Sequence, residues 1–222
     1  MDKAVTVSDP AAAAAAGSGR PPFRRPTKAI LIPGNGGDDE TDLSEYGNWY
    51  GRLAHELRSK HGIPIVTPAF PDPLYAHEDI WKKFAIDELG LDANTLVIGH
   101  SSGAACALRL MEERAMAGCV LVAAYDTDMG DDIEKESGYF DRPFDYDAMK
   151  ANCPWVLQFH AKNDPLVPVA SGRLVAAALG SDYVECALEG HFQGEWHPVL
   201  GQHLARMLTQ GGPGDLPAID AA

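Results

Sequence analysis

Cysteine is scarce in this chain of 222 residues, and the four present (Cys106, Cys119, Cys153, Cys186) form no C-x-x-C pair and no metal-ligand spacing. They read as small buried hydrophobes of a reducing compartment, not as a disulfide framework. Basic residues are also few: 18 Lys and Arg stand against 32 Asp and Glu, a formal net charge of −14. A surface so negative repels phosphate backbones and anionic lipid, so neither nucleic acid nor membrane is expected as a partner. No apolar run reaches the roughly 18 residues of a transmembrane helix. The alanine run at 11–16 follows Asp2 and Asp9 and lacks a basic leader, which argues against a secretory signal or a transit peptide. A cytoplasmic location is the resulting expectation.

What is present is an ordinary globular balance, 45% apolar and 23% charged, over a length that suits one α/β domain. Residues 1–26 are rich in Ala, Gly, Ser and Pro, and residues 211–222 read GGPGDLPAIDAA; both lack apolar periodicity and are expected to be disordered tails. The domain is then 27–210. Within it, short aliphatic runs at 28–33, 64–67, 95–99, 119–123, 155–160 and 183–187 alternate with helical patterns at 46–60, 77–89, 102–114, 168–179 and 195–209. Near-continuous apolar strands are those buried on both faces of a parallel sheet. The pattern predicts a three-layer α/β/α sandwich on a mostly parallel six-stranded sheet, with ligands at the C-terminal ends of the strands.

The sharpest motif is Gly99-His100-Ser101-Ser102-Gly103, between the strand TLVIG and the helix AACALRLMEER. In that setting G-x-S-x-G is a nucleophile elbow: a strained turn lifts the serine oxygen to a helix N-terminus, and glycines let strand and helix pack closely. Ser102 has the wrong spacing for the nucleophile, but its backbone N–H is placed as an oxyanion donor. A serine hydroxyl needs a histidine base oriented by a carboxylate. Asp164 follows the strand WVLQFH in the turn Asn163-Asp164-Pro165, with Asp126 as rival acid; His191 follows the last strand in Glu189-Gly190-His191-Phe192. A second oxyanion donor is sought in Pro33-Gly34-Asn35-Gly36-Gly37, with the Asn35 N–H favoured and Gly36 the alternative. That loop lacks G-x-G-x-x-G spacing and a Walker lysine, and Asp38-Asp39-Glu40 follows it, so nucleotide binding is set aside.

Taken together, PGNGG (33–37), NWYGRLAHEL (48–57), FPDP (70–73), VIGHSSGA (97–104), LVAAY (121–125), SGYFDRP (137–143), KANCPWVLQF (150–159), NDP (163–165) and GHF (190–192) resemble the retinoblastoma-binding protein 9 type of small serine hydrolase, within the α/β-hydrolase superfamily. The resemblance implies a compact hydrolase without a large lid, with Ser101 as nucleophile, Asp164 as acid and His191 as base. It also carries a suggestion of aminopeptidase-like activity. The family's namesake is associated with an LxCxE motif, but the comparable stretch here, 88–94, reads ELGLDAN. Binding of the retinoblastoma protein is therefore not expected.

The expected chemistry is acyl transfer from a small ester or amide substrate to water, of carboxylesterase or aminopeptidase type, with no cofactor and no metal. The segment 125–154 opens with Asp126, Asp128, Asp131, Asp132, Glu134 and Glu136, then turns aromatic with Tyr139, Phe140, Phe144 and Tyr146. The acidic run reads as a solvated loop, with recognition of a substrate amine as the functional alternative. A non-catalytic binding protein and an acyltransferase on the same fold stay open.

Overall fold

Aliphatic residues at nearly every position leave a strand nowhere to lie but inside, and each predicted run becomes one. The computed structural model describes residues 20–36 and 48–211. The strands are β1 (Lys28–Ile32), β2 (Ile65–Val66), β3 (Thr95–His100), β4 (Gly118–Val122), β5 (Val156–Ala161) and β6 (Asp182–Cys186). They form one sheet in the order β2-β1-β3-β4-β5-β6, and every pairing is parallel. The helices are α1 (Trp49–His61), α2 (Glu78–Lys83, extended by a π-helical turn to Glu88), α3 (Ser102–Glu113), α4 (Asp132–Glu136), α5 (Tyr146–Asn152), α6 (Val169–Leu179) and α7 (Pro198–Gln210). None of them is long and apolar enough to cross a membrane.

Alternate strand residues feed two cores. Ala29, Leu31, Leu96, Ile98, Val120 and Val122 meet Trp49, Leu53 and Leu57 of α1 and Leu200, Leu204 and Met207 of α7. Ile30, Ile32, Val97, Cys119 and Leu121 meet α3, together with Trp81, Met149, Val175 and Leu179 from α2, α5 and α6. The result is the three-layer sandwich, with two helices on one face. From β1 the chain runs outward to β2, then returns to β3 on the other side of β1. The strand order therefore reverses between β1 and β3, which opens a crevice at their C-terminal ends.

Two expectations need correction. Composition assigned residues 1–26 to a tail, but 20–26 lie against the domain. The Arg20 guanidinium donates to the Cys153 and Leu179 carbonyls, Phe23 stacks on Trp155 at 6.2 Å, and Arg25 donates to the Leu208 and His61 carbonyls. Arginines at helix C-termini satisfy carbonyls that lack intrahelical partners. Residues 1–19 and 212–222, Gly37 and the Asp38-Asp39-Glu40 run lie outside the described residues. The segment after β4 is also not a plain loop, since it holds α4 and α5. Arg109 of α3 anchors it: the side chain is fully buried, faces the Phe144 ring at 3.7 Å, and donates to the Tyr139, Arg142 and Pro143 carbonyls and to Glu112. The aromatic residues there pack on α3 and Tyr125 and stay out of the crevice.

Replacing Arg109 with Met keeps volume but strands several buried carbonyls and Glu112, which should lower stability by about 3 kcal/mol. Urea unfolding measures this; a loss below about 1 kcal/mol would mean that the segment after β4 is held by other contacts.

Candidate active site

Ser101 sits between β3 and α3 with φ 56° and ψ −123°, a strained conformation for a residue with a side chain. Its surroundings leave no alternative. A Cβ on Gly99 would lie 2.4 Å from the Gly103 carbonyl oxygen, and one on Gly103 would lie 2.2 Å from that of Ile32. The Ser101 amide donates to the Val122 carbonyl at 3.0 Å, which fixes the elbow to β4.

Asp164 turns the chain after β5. Its Oδ1 accepts from the backbone N–H groups of Leu166 and Val167, each at 2.9 Å, and its carboxylate receives His191 Nδ1 at 2.9 and 3.0 Å. Burial pushes this carboxyl up, but the His191, Val167 and Leu166 hydrogen bonds outweigh it and hold the group below the usual carboxylate value. Because Nδ1–H donates to Asp164, neutral His191 carries its free lone pair on Nε2. The rival acid, Asp126, instead accepts from the Tyr146 hydroxyl at 2.9 Å.

The loop carrying His191 is anchored three times. Gly190 N–H donates to Asn163 Oδ1, Trp49 Nε1 donates to the Phe192 carbonyl, and His100 Nε2 donates to the His191 carbonyl at 2.9 Å. That last bond fixes the His100 tautomer, so Nδ1 is the acceptor and the Tyr50 hydroxyl donates to it at 2.6 Å. Gly34 N–H in turn donates to the Tyr50 oxygen at 3.4 Å. One chain of hydrogen bonds thus joins the loop after β1, helix α1, the elbow and the His191 loop. Burial, seconded by the neighbouring His191, drives the His100 pKa down to about 3, so it stays neutral.

Ser101 and His191 line one cavity of about 360 Å³, walled by Tyr50, Phe70, Trp81 and Phe192. The serine hydroxyl and the imidazole make no direct hydrogen bond, a separation common before substrate tightens such sites. A second cavity of about 430 Å³ lies on the other side of Ser101, lined by Tyr125, Met129, Asp131, Ile133 and Glu134. Asn35, Ser101 and Leu166 border both. The Gly36 amide donates to the Pro73 carbonyl at 2.7 Å, whereas no acceptor among the described residues takes the Asn35 backbone N–H. Ser102 is the first residue of α3, so its N–H also lacks an intrahelical acceptor.

Sequence reasoning missed Tyr50, the aromatic wall and Glu134. Tyr50 lies in the helical pattern of α1, where nothing local marks its hydroxyl. Glu134 was grouped with solvated acids, although Asp131-x-x-Glu134 has the spacing of a helix start, and Glu134 is the residue that this helix buries. Three other histidines are buried: His160 Nε2 donates to the Val167 carbonyl, His203 packs on Phe159, and His197 pairs with Glu189.

The serine hydrolase family model matches residues 30–197. The rat serine hydrolase RBBP9 is 40% identical over 185 residues, covering 83% of this chain and 97% of the rat protein. Among solved structures, the ydeN gene product of Bacillus subtilis superimposes with a TM-score of 0.70 at 19% identity, covering 81% of this chain and 97% of the other. The Rhodococcus esterase RhEst1 gives 0.55 at 14% identity, covering 84% and 92%.

His100 makes a testable contribution to acid sensitivity. The unfolded chain takes up a proton at this ring below its ordinary value of 6.5, and the folded chain refuses it down to about 3. The unfolded state then binds more protons, so stability falls on acidification within that window, by about 1.4 kcal/mol per pH unit. His100→Gln keeps a donor for the His191 carbonyl without a titrating ring. Between pH 6.5 and 5 it should lose about 2 kcal/mol less than the wild type in urea titrations. Parallel losses in the two proteins would show that His100 is not held neutral.

Proposed function

The chain belongs to the serine hydrolase family, and from that premise we propose that it cleaves ester or amide bonds of small substrates through Ser101, His191 and Asp164 by way of an acyl-enzyme. The observation that carries this is the buried Asp164–His191 pair, at 2.9 Å, opening with Ser101 onto one cavity.

His191 Nε2 takes the hydroxyl proton as Ser101 Oγ attacks the substrate carbonyl carbon. Asp164 holds the ring tautomer and stabilises the imidazolium. The backbone N–H groups of Ser102 and Asn35 receive the oxyanion, assisted by the α3 N-terminus. His191 then gives its proton to the departing alcohol or amine. Water, deprotonated by the same nitrogen, attacks the acyl-enzyme and restores the serine.

The two cavities suggest how a substrate lies. The aromatic walls of the first suit an apolar arm. In the second, Asp131 presents a carboxylate to solvent while Oδ1 caps α4 through Ile133 N–H and Glu134 N–H. A free amine beside the scissile carbonyl would meet that charge, which favours aminoacyl substrates over their N-acetylated forms.

A fluorophosphonate probe should label the folded protein at Ser101 and leave Ser101→Ala unlabelled. Asp164→Asn should lower kcat by about 10³–10⁴-fold. An unlabelled wild type would favour a binding protein, and faster transfer to added alcohol than to water an acyltransferase. Separately, kcat/KM should be higher for aminoacyl than for N-acetyl-aminoacyl esters, and Asp131→Asn should shrink that ratio. Equal rates on both substrates would end the amine reading.

A further inference from the structure

Glu134 is the one carboxylate of the acidic run that turns inward: it is 7% exposed, and it reaches the elbow from α4, whose N-terminus Asp131 caps. Its Oε1 accepts from the Ser102 hydroxyl at 2.8 Å and from Asn35 Nδ2 at 3.2 Å. These are side chains of the two residues whose backbone N–H groups are the proposed oxyanion donors. They come from different elements, one from the loop after β1 and one from the start of α3, and no direct bond joins their side chains. The Tyr125 hydroxyl, 3.3 Å from Ser102 Oγ, closes the same cluster from the end of β4.

We propose that Glu134 is a positioning residue that ties the two oxyanion-donor segments together through a single carboxyl oxygen, so that both N–H groups converge on one point. The proposal rests on the acyl-transfer reading above. The backbone on either side of Asn35 is held by Gly34 N–H to the Tyr50 hydroxyl at 3.4 Å and by Gly36 N–H to the Pro73 carbonyl at 2.7 Å, while among the described residues Glu134 is the one group that receives the Asn35 side chain. A donor displaced by about 1 Å loses most of its effect on a developing oxyanion. The tether acts in the transition state and not on the bound substrate, so its loss falls on kcat.

The direction of the carboxyl's shift fits the role. Burial pushes it up, the Ser102 and Tyr125 hydrogen bonds draw it partly back, and it stays above the usual range. An upward shift lessens the negative charge that opposes an oxyanion, and Oε1 accepts the Ser102 and Asn35 bonds in either protonation state.

The test uses p-nitrophenyl butyrate. Glu134→Ala should lower kcat by about 10–100-fold with KM within about twofold. Glu134→Gln, neutral and with the acceptor oxygen kept, should recover to within about threefold of the wild type. Asn35→Ala keeps the backbone N–H but cuts the tether from its other end, and should match Glu134→Ala; the double variant should be no worse than the poorer single one. Should Glu134→Ala fail to fold, Asn35→Ala and the Gln variant carry the comparison. Multiplying effects, a Gln variant as slow as the Ala variant, or folded single variants with wild-type kcat would overturn the tether while leaving the acyl-transfer reading intact. A wild type inert to both the ester and a fluorophosphonate would remove both.

Discussion

Gly103 packs against the carbonyls of Ile32 and Pro33 with no room for a side chain, and the geometry of the crevice follows from that contact. With no Cβ at 103, α3 starts directly against the end of β1; a methyl group there would overlap two carbonyl oxygens, at 2.2 and 2.3 Å. The elbow is thereby seated beside the loop after β1, and the two chain segments that offer free N–H groups become neighbours. Strand order contributes the rest. Because the sheet reverses direction of growth between β1 and β3, no crossover connection covers their C-terminal ends, and both turns are left open to a ligand. The strain at Ser101 is one consequence of this packing, sustained because β3, β4 and α3 leave the turn no relaxed alternative.

The convergence of side chains rests on a second layer of neutral hydrogen bonding. The Tyr50–His100 pair links the loop after β1 to the carbonyl of His191 and keeps a charge away from the place where the proposed mechanism forms an imidazolium. A protonated His100 would repel that cation, and burial prevents it. His191 is thus oriented at both ends, by Asp164 at Nδ1 and by His100 at its own backbone. Neither contact depends on the acidic surface, which screens and fluctuates, so the alignment is insulated from the chain's high net charge.

Much of this was legible in the sequence because it is local. Six aliphatic runs gave six strands, and the flanks of Gly99-His100-Ser101-Ser102-Gly103 announced the elbow before any coordinates. Asp164 and His191 were marked by position after the last strands, and the all-parallel sheet brings them together. What stayed hidden was non-local. Nothing in the chain near Tyr50 says that its hydroxyl meets His100, fifty residues on. The docking of 20–26 was also invisible, since Arg20 and Arg25 bond carbonyls of helix ends whose exposure only the fold determines. Composition could say that this segment has no core of its own, but not that it borrows one.

Two buried carboxyls at one serine, driven in opposite directions, bring these strands together. Asp164 is desolvated, but its carboxylate collects the imidazole and two backbone N–H groups, and the donors win. Glu134 is desolvated too, yet one of its oxygens has no partner among the described residues, and burial wins. The number of donors aimed at each carboxyl, rather than its depth alone, sets the direction of its shift. In the proposed mechanism, a carboxyl held low is what an imidazolium requires beside it, and one pushed up is what an oxyanion tolerates. The same functional group can therefore stand on both sides of Ser101 without working against itself, because the fold supplies three N–H donors on one side and a hydroxyl and an amide on the other.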